Sequence, residues 1–213
     1  MTPPSRRVYY VPAVEGRDRP ASHQMIKSFK LEHFRCFERL ELTDLRRINV
    51  LVGRNASGKT ALLEGIRIGL GGTPGAAWTL NQLRGLLTYL PLPATREQFE
   101  AQWNYYFHGL DIEHPISARW QDSEGREASL IISYDPAKSV TPTRQVIGGA
   151  PPPVTTIIPL KFARTNLNGQ ASDLYATIDP NGQLQLQPGP EIGPVTEFFT
   201  SSWGNVRCAV GIE

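Results

Sequence analysis

From Gly53 to Thr60 the chain reads Gly-Arg-Asn-Ala-Ser-Gly-Lys-Thr, a complete match to the pattern G-x-x-x-x-G-K-[ST]. Each residue type in that pattern has a physical use. Gly53 and Gly58 permit backbone angles that other residues resist, so the loop can wrap closely round an anion. Successive N–H groups of Arg54, Asn55, Ala56 and Ser57 can then point inward and form a nest for phosphate. Lys59 supplies a point charge for the outer phosphates of a nucleoside triphosphate, and the Thr60 hydroxyl is a ligand for the magnesium ion that bridges them. The expected cofactors are ATP and Mg2+, held by residues 53–60 and the adjoining Ala61.

Such a loop works only between a strand and a helix, and the flanking residues supply both patterns. Arg47-Ile48-Asn49-Val50-Leu51-Val52 reads as a strand whose continuous apolar end suits burial on both faces, as in the middle of an α/β sheet. Thr60–Leu70 carries Leu62, Leu63, Ile66 and Leu70 near helical spacing, and Gly71-Gly72 stops the helix. The helix N-terminus offers unpaired N–H groups and the positive end of its dipole to phosphate. Upstream, Ile26, Phe29 and Leu31 mark a half-buried strand with one irregularity in its alternation. Arg39–Thr43 alternates strictly, as a second, antiparallel strand does.

Downstream, residues 73–95 read as mixed, because Pro74, Pro91 and Pro93 break long elements. Residues 96–108 read as a short helix bearing Phe99, Trp103, Tyr106 and Phe107. Ile116–Gln121 and Ala128–Tyr134 flank a turn-rich Asp-Ser-Glu-Gly and predict a hairpin. Val154–Leu160 predicts a further strand, and 174–178 with 183–187 a second hairpin about Asp179-Pro180-Asn181-Gly182. A short element is expected to start at Phe198-Phe199, and no internal repeat occurs. The expected fold class is α/β, a P-loop NTPase lobe with a mixed sheet and antiparallel hairpins. Residues 1–24 read as a tail and 25–213 as the lobe, with Met25 a candidate start.

Composition bounds the rest. The 213 residues are 40% hydrophobic and 20% charged, a globular balance. Net charge is +2, too small to argue for nucleic acid by itself. Residues 1–48 nevertheless hold ten Lys/Arg against six Asp/Glu, a mildly basic front. Cys36 and Cys208 form no C-x-x-C pair, so zinc and thioredoxin-type chemistry have no support, and two lone cysteines suit a reducing cytoplasm. No apolar run approaches the ~18 residues of a membrane helix, and nothing after Arg6-Arg7 resembles a secretory signal.

Residues 25–70 resemble the N-terminus of SMC/RecF-type ABC ATPases. The resemblance lies in Phe34-Arg35-Cys36-Phe37, the Leu40/Leu42 strand, Ile48–Gly53, and Lys59-Thr60-Ala61-Leu62-Leu63-Glu64. Among these ATPases it is nearest the OLD-like (overcoming lysogenization defect) group, from which it departs at Ala56, where many members carry glycine. The resemblance implies that Arg35 lies near the nucleotide, that heads pair as a homodimer or with a partner lobe, and that DNA is a partner, in repair or in phage defence. Phe34 and Phe37 read as core rather than as an adenine platform.

A complete ATPase of this type also needs a signature motif and an apolar strand ending in Asp-Glu. Ile157-Ile158-Pro159-Leu160 is followed by Lys161, Val210–Glu213 is short, and no Ser-Gly-Gly-type signature or set of TOPRIM-like acids occurs. No residue therefore receives a catalytic role: the residues that would orient an attacking water are missing. The expectation is an ATP-binding first lobe of a longer, here truncated, ATPase, with Arg207–Glu213 reading poorly as a domain end. Two other readings stay open. A P-loop kinase would need an arginine-bearing lid, for which Arg119, Arg126 and Arg144 are scattered; an adaptor that keeps the loop as a fold element would bind no nucleotide.

Overall fold

The computed structural model describes residues 25–85, 95–141, 156–179 and 184–187. The expected tail at 1–24, the start at Met25 as distinct from Met1, the element near Phe198, and residues 154–155 and 180–183 of the expected strand and hairpin lie outside the described residues.

Seven strands form one sheet in the order β2-β1-β3-β4-β5-β6-β7. They are β1 (Ile26–Phe34), β2 (Phe37–Leu42), β3 (Ile116–Asp122), β4 (Glu127–Tyr134), β5 (Leu160–Thr165), β6 (Ala171–Ile178) and β7 (Leu184–Leu186). Every pairing is antiparallel. The expected mixed sheet is thus corrected: among the described residues no parallel pair exists. The irregularity read in β1 is real, as a register shift between Ile26 and Ser28 against β3. A second phase change follows at His33, whose φ of 54° lets Phe34 turn inward after Phe29 and Leu31.

Helix α1 (Lys59–Gly71) lies on this sheet against β1, β3 and β4. Two glycines explain the close approach. A Cβ on Gly65 would stand 2.4 Å from Leu31 Cδ2, and one on Gly69 would stand 3.0 Å from both Ala118 Cβ and the Phe29 ring. The helix stops at Gly72, which takes φ 58° and returns its N–H to the Ile68 carbonyl. Helix α2 (Pro74–Leu83) follows at once, where the sequence had suggested a broken stretch. Pro74 opens this helix rather than breaking it, since a first-turn N–H has no intrahelical acceptor to lose, and Thr73 Oγ1 accepts from Ala76 N–H at 3.1 Å.

The aromatic helix expected over 96–108 is shorter. Helix α3 (Arg96–Ala101) begins with a reciprocal Thr95–Gln98 capping box and gives way to single 3-10 turns at Asn104–Tyr106 and His108–Leu110. Helix cannot continue because Phe107 forms an antiparallel bridge with Phe34 and must be extended there. The hairpin β3–β4 appears as expected; the strand expected at Val154–Leu160 is displaced, with Ile157 in a bridge to Val140 and β5 starting at Leu160.

The largest departure is at residues 47–52. They form no strand and leave Ile48, Val50 and Val52 exposed at 81%, 76% and 89%. A strand apolar on consecutive residues needs neighbours at its edges and cover on both faces. Among the described residues no strand pairs with this run, and the inner face of the sheet carries α1 and α2 instead. No helix among the described residues is long and apolar enough to cross a membrane.

Candidate functional site

The glycine loop sits between the exposed run and α1. Residues 53–57 are exposed, and the loop tightens through a Ser57 N–H to Arg54 carbonyl bond of 3.2 Å. Gly58 is the helix N-cap with φ 88°, and the first helical bond runs from Leu62 N–H to its carbonyl at 2.9 Å. No side chain caps this end and no acid occupies the first turn. The N–H groups of Lys59, Thr60 and Ala61 are therefore free of intrahelical acceptors, at the positive end of the helix dipole.

Lys59 is folded over the loop. Its Nζ donates to the carbonyls of Gly53 at 2.5 Å and Arg54 at 2.7 Å. It thus lies back over the loop, its donors turned to the loop's own carbonyls. The Thr60 side chain is exposed in the first turn beside it, free to meet a hydrated cation. Among the described residues no cluster of three or more His, Cys, Asp or Glu forms a protein-only metal site. Arg54 and Asn55 are exposed.

Ala56 is strained. Its φ of 62° places an alanine in the left-handed region, which favours glycine. Ala56→Gly is expected to stabilise the fold by about 1 kcal/mol, because the left-handed conformation costs roughly that much with a Cβ. Urea unfolding of the two proteins checks it; a less stable glycine variant would contradict the strain.

The remaining predicted residue is Arg35. It lies in the β1–β2 turn with φ 52°, its side chain only 12% exposed. The guanidinium lies 3.0 Å from Glu64 Oε2 on the second turn of α1 and stands over the rings of Tyr105 and Tyr106 at 5.1 and 5.0 Å. Burial lowers its pKa from the ordinary arginine value, and the Glu64 charge opposes that shift. Glu64 also receives the Nε–H of Arg84 at the end of α2. Around them Tyr105 and Tyr106 both donate to Asn81 Oδ1, and Tyr106 also to the Ala77 carbonyl at 2.8 Å.

Sequence reasoning had missed Glu64, Arg84 and this polar network. A signal for Glu64 existed: it lies four residues before Ile68 on the apolar face of α1, where an acid demands a buried partner. The network itself joins residues about 20 to 70 positions apart and left no local pattern to find. Phe34 is fully buried, as expected of core, whereas Phe37 is half-buried beneath the loop.

Comparison with known proteins adds an independent finding. Residues 28–85 match the AAA domain family. The chain is similar to the DNA replication and repair protein RecF of Hydrogenovibrio crunogenus, 41% identical over 66 residues, which is 31% of this chain and 15% of that protein. The RecF protein of an Exiguobacterium species is 49% identical over 43 residues, 20% of this chain and 12% of that one. Structural maintenance of chromosomes protein 6 of Saccharomyces cerevisiae is 50% identical over 46 residues, 22% of this chain and 4% of that one. The matches support an SMC/RecF-type ABC ATPase N-terminal region. They span less than a sixth of each of these relatives, and the family match at 28–85 contains the glycine loop, α1 and the Arg35–Glu64 pair.

Proposed function

We propose that residues 25–213 are the Mg-ATP-binding lobe of an ABC-type ATPase, and that turnover requires a second lobe, on the same or another polypeptide. The observation that carries the binding half is the uncapped first turn of α1 under an exposed glycine loop, with Lys59 already reaching over it. Two observations support the dependence on a second lobe. The sequence has no signature motif and no apolar strand ending in Asp-Glu. The apolar run 48–52, next to the loop, lies exposed without partners where a doubly covered strand would be expected.

In this reading the loop N–H groups and Lys59 bind the phosphates. Thr60 holds the magnesium, which would neutralise developing charge on the phosphoryl oxygens. Arg54, Asn55, Ala56, Ser57 and Ala61 shape the wall round them. DNA is the proposed macromolecular partner. The printed names of the relatives concern DNA replication, repair and chromosome maintenance. Lys27, Arg46 and Arg47 also line one pocket, together with Met25 and Asp44, a small edge of net positive charge. A cytoplasmic location, pairing with a second head, and OLD-like kinship with a role in phage defence belong to the same proposal, the last resting on the motif pattern alone.

The kinase and adaptor readings gain nothing from the fold. Arg119 stands on the outer side of β3 between Lys30 and Ser129, and Arg126 is tied to Asp122, so neither forms a lid over the loop.

Calorimetric titration of the chain with ATP, with and without magnesium, tests the reading. Binding is expected to strengthen with magnesium in the wild type and to lose most of that dependence in Thr60→Ala. An unchanged dependence in the variant would remove the ligand role from Thr60, and absence of heat in the wild type would remove the binding reading itself.

A further inference from the structure

The glycine loop does not stand on α1 alone. A Cβ built on Gly58 would lie 2.9 Å from Phe37 Cζ and 3.1 Å from Cys36 Sγ, so the β1–β2 turn packs directly against the loop's last glycine. That turn is fixed from behind. The Arg35 N–H donates to the Tyr106 carbonyl at 2.8 Å, and His108 Nδ1 meets the Arg35 carbonyl at 2.8 Å. Its side chain runs inward to Glu64 on the helix that the loop caps. Turn, loop and helix are thereby closed into one ring of contacts: Gly58 on Cys36 and Phe37, Arg35 on Glu64, and Glu64 on the helix that begins at Gly58.

We infer that Arg35 and Glu64 are positioning residues for the nucleotide, their ion pair holding the β1–β2 turn so that it fixes Gly58 and the N–H groups after it. The inference rests on the reading of the loop as an ATP site. A buried ion pair is a poor device for stability, because apolar residues of similar size would serve as well or better. It can set a distance, since the planar guanidinium stands 3.0 Å from one carboxylate oxygen, an ion-pair contact without hydrogen-bond geometry, and lies over two aromatic rings. Gly58 needs such a setting. Its left-handed φ directs the peptide units that form the end of the nest, and a turn free to slide would tilt them. Arg35 then acts through the turn, without touching the nucleotide.

The test uses the whole 213-residue chain and a fluorescent ATP analogue with magnesium. The variants are Glu64→Gln, Arg35→Gln, the double change, Glu64→Asp, and Leu174→Ala on β6 as a control for lost stability alone. Each is measured below its own thermal midpoint. Glu64→Gln and Arg35→Gln should each weaken binding roughly ten- to a hundred-fold, the scale seen when groups that orient a ligand site from behind are removed. The double variant should bind no worse than either single one, Glu64→Asp should be intermediate, and Leu174→Ala should bind as the wild type does.

Retained affinity in Glu64→Gln with lost affinity in Arg35→Gln would overturn the inference in favour of direct contact by Arg35. Equal loss in Leu174→Ala would overturn it in favour of general destabilisation. If Glu64→Gln does not fold, Glu64→Asp decides, and wild-type affinity there overturns the inference. A wild-type chain that binds no analogue rejects the ATP reading, and this inference with it; wild-type binding with unchanged variants rejects the inference alone.

Discussion

Lys59→Ala lowers the affinity for Mg-ATP by roughly ten- to a hundred-fold, the equivalent of the 1.5–3 kcal/mol that a charge-assisted hydrogen bond contributes. The same change alters unfolding free energy by no more than about 1 kcal/mol, because the bonds it removes are exposed and solvent can replace them. Without nucleotide, Lys59 is bonded to the loop itself. Its Nζ donates to the Gly53 and Arg54 carbonyls, both in the loop and both accessible to water. A phosphate entering the loop offers a full negative charge in place of carbonyl dipoles, so the ammonium gains by changing partner. Separate measurement of binding and of urea unfolding distinguishes this from damage to the fold: a variant that binds as well as the wild type would take the lysine out of the site.

Replacing both Val50 and Val52 with lysine is expected to leave the isolated chain as stable as before, within about 0.5 kcal/mol, and equally able to bind ATP. Both side chains already lie in solvent, at 76% and 89% exposure, so lysine there breaks no packing. The same double variant is expected to abolish any turnover restored by a complementary lobe that carries a signature motif and an acidic strand end. A lysine pair in a strand meant to be covered on both faces must be desolvated, at a cost of several kcal/mol per ion. Phosphate release from mixtures of the complementary lobe with wild type or variant is the measurement. Equal release from both mixtures would show that residues 48–52 are not the joining strand, and a variant that unfolds alone would show that the run is already packed.

The reading of residues 48–52 also shows where sequence reasoning reached and where it stopped. Their apolar pattern was legible and pointed to a strand with two neighbours. The neighbours were not legible, because pairing is a property of residues elsewhere in the chain. Local patterns fared better: the alternation of β1 and β2, the spacing of α1 and its stop at Gly72 all depend on residues a few positions apart, and all are found. The Asp122–Gly125 turn was legible for the same reason, and Asp122 closes it by accepting from the N–H groups of Glu124 and Arg126.

Misjudged elements trace to competing local rules. Pro74 reads locally as a breaker but stands at a helix start, where the missing N–H does no harm. The helix pattern of Phe99, Trp103, Tyr106 and Phe107 was genuine, but the Phe34–Phe107 bridge overrides it. In the site, the loop residues could be assigned because the motif encodes their geometry within eight positions. Arg35 could be singled out but not placed, since its partner Glu64 lies 29 residues on and its aromatic partners about 70. Ala56 was noticed only as a departure from glycine; its positive φ turns that departure into strain.

Equilibrium titration of a fluorescent ATP analogue into the 213-residue chain with magnesium, followed by a phosphate-release assay on the same sample, tests the account most directly. The account predicts saturable, magnesium-dependent binding that Lys59→Ala weakens, with no release of phosphate above the spontaneous rate. Absence of binding in the wild type, or sustained release of phosphate by the chain alone, would contradict it.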